Sequence, residues 1–243
     1  MLVSFFQTPE QVPSETLPDC AVVVDILRAT TTIATALAAG AEAVQVFADL
    51  ETLEQVSQAW PIESRIRSGE RGGRTVEGFD LGNSPLDYTP ERVAGKRIFM
   101  STTNGTRALQ CVQQAPVVVT AALINLGSVS AFLSENGFER IWIVGSGWEG
   151  SYSLEDSFCA GAIGHVLQCE FQPQTVGNDE LWAALALYQQ GKQDPVEVLR
   201  RSSHGQRLLR IGEHHEADLQ YCAQISTLEI LPRQKEAGVL ARH

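Results

Sequence analysis

Residues 21–37 read AVVVDILRATTTIATAL. Three valines run into Asp25, and a short β-branched apolar run of this kind reads as a buried strand. Beyond Leu27 and Arg28, a threonine cluster opens an alanine-rich, helix-periodic segment, the pattern of a helix start with a capping hydroxyl. The stretch therefore places a carboxylate where a strand ends, and an arginine and hydroxyls where a helix begins. In an open α/β sheet the crevice at the carboxyl ends of the strands is where ligands bind. A helix start there favours an anion, through its free N–H groups and its dipole.

The same grammar recurs outward from this point. LVSFF at the N-terminus reads as a strand, residues 43–48 as a strand, and residues 50–59 as a helix. Segments 96–112 and 140–168 repeat the order strand, polar turn, helix, with helix entry near Leu154 in the second. Residues 116–125 read as a strand and turn, and 126–137, 180–190 and 195–212 as helices. This alternation predicts an α/β fold: a three-layer α/β/α arrangement on a mostly parallel or mixed sheet, with room for two similar lobes. Residues 1–243 read as one unit, with a lobe boundary near Pro116. Residues 66–85, IRSGERGGRTVEGFDLGNSP, break the alternation and read as a long, ordered, charged loop.

Composition narrows the function. The chain of 243 residues has 44% hydrophobic residues and a formal charge of -11, enough for a full core and a poor match to nucleic acid or an anionic membrane. Five scattered cysteines without a CxxC pair fit reduced thiols in a cytoplasmic setting. The N-terminus lacks the pattern of a signal peptide, and no apolar run reaches the ~18 residues of a membrane span.

Two constellations can carry chemistry. Carboxylates stand at loop and helix-entry positions: Asp25, Glu70, Asp80, Glu155 and Asp156. Hard divalent cations want such oxygen ligands, and magnesium typically takes one or two carboxylates with water and substrate phosphate. The anion donors are Arg28, Arg71, Arg74, the run Thr30, Thr31, Thr32, and the turn Ser101 to Thr106. Each junction alone is equally an ordinary helix cap. Residues 145–150 match GxGxxG but are followed by SYSLED before any helix, and Glu149, Glu155 and Asp156 would repel a pyrophosphate. A dinucleotide reading is therefore weighted down. His204 and its serines read as a solvated helix face.

Four segments together, VDILRATTTI, SGERGG with GFDLGNSP, STTNGTRAL, and SLEDSFCAGAI, resemble the 2-phosphosulfolactate phosphatase (ComB-like) family over roughly residues 20–225. The resemblance implies a magnesium-dependent phosphatase of α/β/α fold. It would release phosphate from 2-phosphosulfolactate or a related 2-phospho-hydroxy acid, a step toward coenzyme M. The matching positions are Asp25, Arg28, Thr30 to Thr32, Glu70, Arg71, Asp80, Asn83, Thr102 to Thr106, Glu155 and Asp156. Chemistry assigns their roles. Asp25, Glu155 and Asp156 are expected to be catalytic. Asp25, Glu70, Asp80 and Asp156 are expected to hold Mg²⁺. Arg28, Thr30, Thr31, Thr32, Arg71, Asn83, Thr102, Thr103, Asn104, Gly105 and Thr106 are expected to bind the anionic ester, with Arg71 or Arg74 on its carboxylate or sulfonate. Activated water is favoured over a carboxylate nucleophile. A homodimer is the base-rate expectation. The competing readings are a non-catalytic anion-binding protein and a nucleotide-dependent oxidoreductase.

Overall fold

A computed structural model describes residues 1–243 except Gly73, Thr103 and Glu149. In chain order the elements are β1 (Leu2–Phe6), β2 (Cys20–Val24), α1 (Ala29–Ala38), β3 (Ala43–Val46), α2 (Leu50–Gln58), β4 (Arg65–Arg71), β5 (Arg74–Thr75), α3 (Pro90–Val93), β6 (Arg97–Ser101), α4 (Gly105–Val112), β7 (Val117–Ala121), α5 (Leu126–Glu135), β8 (Arg140–Gly145), α6 (Leu154–Val166), α7 (Asp179–Gly191), α8 (Pro195–Arg201), α9 (Ser203–Ile211), α10 (His215–Cys222), β9 (Pro232–Glu236) and β10 (Val239–Arg242). They form a three-layer α/β/α fold on a mixed sheet ordered β1-β8-β2-β7-β9-β10-β3-β6-β4-β5.

The sheet has two parallel sets. β1, β8, β2 and β7 run together, and β3, β6 and β4 run together. Between them lies the hairpin β9–β10, antiparallel to β7 on one side and to β3 on the other. The set containing β2 is buried on both faces, which is why Cys20–Val24 is an unbroken apolar run with every residue buried rather than an alternating one. The steps from β7 to β9, β9 to β10 and β10 to β3 are all antiparallel, so the two parallel sets point oppositely along the ladder. A flat sheet would then put the carboxyl ends of β2 and β6 at opposite edges. Instead α4, which follows β6, packs on β2, and its first residue, Gly105, lies against Asp25 at the end of β2. α6 covers β2 and β8 and packs along α7, which also covers β1. That close helix pair is set by Gly161, where a Cβ would stand 2.0 Å from the Ala184 carbonyl oxygen.

Three segments differ from the sequence reading. Residues 65–71 are a strand within the expected loop: β4 pairs in parallel with β6, and its buried positions Ile66, Ser68, Gly69 and Glu70 carry few apolar side chains to signal it. The helical stretch 195–212 is two helices, because Ser202 leaves the helical conformation and caps α9 by accepting from the Gly205 N–H at 3.0 Å. The tail ends in α10 and the β9–β10 hairpin. β7 begins just after Pro116 and pairs with β2, so chain on both sides of position 116 builds the same parallel set.

Candidate active site

Asp25 follows β2 and caps α1. Its Oδ1 accepts from the Ala29 N–H at 3.3 Å, its carbonyl accepts from the Thr30 N–H at 2.9 Å, and its own N–H donates to Thr30 Oγ1 at 3.1 Å. The anion at the start of α1 is thus Asp25 itself. The hydroxyls of the threonine run are spent on the chain: Thr31 donates to the Ile26 carbonyl at 2.9 Å and Thr32 to the Asn83 carbonyl at 3.1 Å. The first turn of α1 is buried throughout, so these side chains knit the β2–α1 loop to the Gly82–Ser84 segment.

Asp156 enters from α6. Ser153 caps that helix by accepting from the Asp156 N–H at 3.2 Å. Asp156 Oδ1 accepts from the Ile26 N–H at 3.1 Å and Oδ2 from the Ser146 hydroxyl at 3.0 Å. It therefore grips the loop one residue past Asp25, and the two carboxylates share one buried space. Burial pushes the Asp156 carboxyl well above the usual range, and the Asp25 and Glu155 charges push it further. Burial also raises Asp25, against the lowering effect of His204, the Ala29 N–H and Ser146. Glu155 lies alongside, with Oε1 3.5 Å from His204 Nδ1.

The second junction reaches the same place. Gly105, first residue of α4, approaches so closely that a Cβ on it would stand 2.7 Å from Asp25 Oδ2 and from the Ala29 Cβ. The Thr102 hydroxyl, 3.3 Å from that position, is buried and has no hydrogen-bond partner among the described residues. Thr106 Oγ1 accepts from the Thr102 N–H at 3.2 Å, and Asn104 sits buried at the cap position of α4. Arg71 ties the end of β4 to this junction, donating to Ser101 Oγ at 3.0 Å and to the Glu70 carbonyl at 2.8 Å. Glu70 is buried one residue before it.

Not every expected residue converges. Asp80 is exposed and accepts from the Arg67 N–H at 2.7 Å, midway along β4 rather than at its carboxyl end. Arg28 is buried, with Nη1 donating to Asp218 Oδ2 at 2.6 Å and 3.0 Å from His215 Nδ1. Asn83 lines a neighbouring cleft with Arg28 and Arg74. Thr103 and Glu149 lie outside the described residues. The glycine turn 145–150 holds no helix start: Gly147 has φ 62°, Trp148 and Ser151 exchange backbone hydrogen bonds, and the helix begins at Leu154.

Sequence reasoning passed over Ser146, Trp148, Arg207 and the role of His204. α9 carries His204 and Arg207 one turn apart; the His204 ring lies 5.1 Å from that of Trp148, and the Arg207 guanidinium stacks 4.0 Å from it. A serine helix start before His204 was the available signal.

A cation fits this donor set. The aspartate pair offers buried carboxylate oxygens and Thr102 an unpaired hydroxyl oxygen, the hard donors that a divalent cation takes. Among the described residues no three His, Cys, Asp or Glu side chains converge as a metal cage, and magnesium typically uses one or two carboxylates and keeps its remaining positions for water and phosphate.

The chain matches the family model described as 2-phosphosulpholactate phosphatase over residues 6–237. It is similar to proteins named probable 2-phosphosulfolactate phosphatase. In one from Synechococcus sp. (strain JA-2-3B'a(2-13)) the identity is 62% over 236 residues, 97% of both chains. In one from Microcystis aeruginosa it is 57% over 242 residues, 100% of both. In one from Nostoc punctiforme it is 56% over 243 residues, 99% of this chain and 98% of the other.

Proposed function

Because the chain belongs to the 2-phosphosulfolactate phosphatase family, we propose that it hydrolyses 2-phosphosulfolactate, or a closely related 2-phospho-hydroxy acid, with Mg²⁺ as cofactor. It is a phosphoric monoester hydrolase. The observation that carries the finer reading is the pairing of Asp25 and Asp156 in one buried space against the start of α4.

Asp25 and Asp156 would hold the ion; bound there, Mg²⁺ would neutralise phosphate charge and polarise the ester. The start of α4 and the Thr102 hydroxyl receive phosphoryl oxygens. Glu155 and His204 handle protons. A water oxygen bonds to phosphorus as the bond from phosphorus to the C2 oxygen breaks. Glu155 takes the water's proton, and His204 gives one to the departing oxygen. The products are the 2-hydroxy acid and phosphate.

Phosphate release from 2-phosphosulfolactate and 2-phospholactate, with Mg²⁺ and with EDTA, tests the reading. Release that chelation abolishes and Mg²⁺ restores supports it. Release that is unaffected by exhaustive chelation removes the ion, and no release by folded protein removes the substrate class.

A further inference from the structure

The glycine turn after β8 begins beside the aspartate pair. Ser146 donates its hydroxyl to Asp156 Oδ2 at 3.0 Å and its N–H to the Val24 carbonyl at 2.9 Å. Two residues on, Trp148 is half-buried and fixed by its backbone exchange with Ser151. Its ring carries two groups from α9: the His204 ring at 5.1 Å and the Arg207 guanidinium at 4.0 Å. Arg207 also reaches the β4–β5 turn, where a Cβ on Gly72 would stand 4.0 Å from Nη2. The residue before Gly72 is Arg71, which holds Ser101 ahead of α4. Arg207 thus spans from the segment that grips Asp156 to the segment that leads to the start of α4.

Arg207 makes no hydrogen bond or ion pair among the described residues. On the preceding helix α8, Arg200 is paired with Glu216 and Arg201 with Glu197. Around the site, Arg28 is committed to Asp218, and Arg71 to Ser101 and the Glu70 carbonyl. The chain has a formal charge of -11, and the Asp25, Asp156 and Glu155 carboxylates gather close by. An arginine that keeps its five N–H donors unused in such surroundings is placed for a ligand. The Trp148 face holds it there: a guanidinium stacked on indole is attracted to the ring and keeps its edge donors open.

We propose that Arg207 is a further catalytic residue of this site, its guanidinium, held on Trp148, hydrogen-bonding the non-bridging phosphoryl oxygens across from the start of α4. The inference rests on the phosphatase reading above. A phosphoryl group seated among carboxylates needs cationic donors, and its non-bridging oxygens are where preorganised donors act in the transition state. Trp148 is then a positioning residue, which acts by fixing Arg207. The contact is to phosphoryl oxygens alone, so it serves free phosphate as well as the ester and is blind to the ester's acid groups.

Two measurements on Mg²⁺-loaded protein test it: inorganic phosphate binding by isothermal titration calorimetry, and phosphate release from 2-phosphosulfolactate and 2-phospholactate. The variants are Arg207→Gln, Arg207→Lys, which keeps the charge without the fork, and Trp148→Leu, with folding checked by Tm. Arg207→Gln is expected to weaken phosphate binding about tenfold or more. It should also lower kcat about 10²-fold or more, by the same factor on both esters. Arg207→Lys should recover part of both losses, and Trp148→Leu should shift both in the same direction by a smaller factor. Phosphate that binds wild type and folded Arg207→Gln equally, or binds neither, overturns the assignment. So does a loss confined to one ester, or a rise in KM with kcat intact, because either takes Arg207 away from the transition state at phosphorus. Phosphate that binds through Arg207 while wild-type protein turns over neither ester keeps the oxyanion contact and overturns the phosphatase reading instead.

Discussion

Gly105→Ala sets two known effects against each other, and the geometry decides between them. Gly105 is helical, with no positive φ to protect. In open space alanine would stabilise the start of α4 by up to about 1 kcal/mol. Here the new Cβ would stand 2.7 Å from both Asp25 Oδ2 and the Ala29 Cβ, against the ~3.5–4.0 Å of ordinary carbon contact. Neither neighbour is the free end of a flexible chain: Ala29 is the first residue of α1, and Asp25 is held by its hydrogen bonds to that helix. The starts of α1 and α4 must therefore separate by up to about 1 Å. Overpacking of this kind costs about 1–3 kcal/mol, which exceeds the propensity gain. A net loss of about 1–2 kcal/mol lowers Tm by roughly 2–8 °C in a chain of this size. A misplacement of about 1 Å at reacting groups costs on the order of 10²-fold in rate. Differential scanning calorimetry and phosphate release read the two effects separately. A Gly105→Ala protein as stable as wild type, with unchanged kcat, would refute the convergence of the two helix starts on Asp25.

Other outcomes follow from the same contacts. Asp156→Asn should lower kcat at least 10³-fold while leaving the metal-free fold as stable or more so, since it replaces a buried carboxyl whose ionised form burial, Asp25 and Glu155 all disfavour; a folded variant that keeps a tenth of wild-type kcat would take Asp156 out of the chemistry. Both Asp25 and Asp156 have raised pKa values in the folded chain, so the folded form holds their protons more tightly than the unfolded one. Their contribution is most favourable below the unfolded value of about 3.9 and is lost as pH rises through the folded values. In EDTA the Tm of wild type minus that of Asp156→Asn should fall with rising pH, and a flat difference would contradict the shared burial. His204→Gln should lower kcat about 10²-fold or more and raise the bridging-oxygen ¹⁸O isotope effect on release, because the leaving oxygen departs without its proton; an unchanged isotope effect would make His204 merely structural. Gly161→Ala, with its Cβ 2.0 Å from the Ala184 carbonyl oxygen, should destabilise by about 3 kcal/mol or more by prising α7 from α6, and a Tm within 2 °C of wild type would be inconsistent with that packing.

The order strand, polar turn, helix was legible wherever a strand was buried on both faces, as in Val22–Val24 and Ile141–Val144, because such strands are continuous apolar runs. β4 was not, since its buried positions include Ser68, Gly69 and Glu70. Nor was β9, PRQKE, which has no apolar alternation and is held in place by its partner β10. Asp25 and Asp156 were legible as strand-end and helix-start carboxylates, and the structure brings them together. The threonine run was read by its hydroxyls alone, and local sequence did not reveal that the first turn of α1 is buried and turns them inward. The partner of Arg28, Asp218, lies 190 residues along the chain, a separation at which spacing carries no information. His204 was hidden by the single helix expected over 195–212. The cap at Ser202 restarts the helix, and the restarted helix sets His204 against Glu155.

The reversal of direction between the two parallel sets accounts for why the site needs these distant pieces. The antiparallel steps set the two parallel sets in opposite directions, and yet the start of α4 after β6 reaches Asp25 at the end of β2. The ladders at that join are short: β7 meets β9 at the single pair Val119–Arg233, and β10 meets β3 at Val239–Gln45 and Leu240–Val44. The registers of β2 with β7 and β8 run over five residues each. The residues that make the site one space are then the cross-connections: Asp156 on the Ile26 N–H, Thr32 on the Asn83 carbonyl, and Asp218 on Arg28 and Ser84. Each joins chain segments remote in sequence, and each ends on the loop between Asp25 and α1, on α1, or on the cleft wall beside it. The two acidic groups can therefore be held against their mutual repulsion by a scaffold that β2 and α1 alone would not supply.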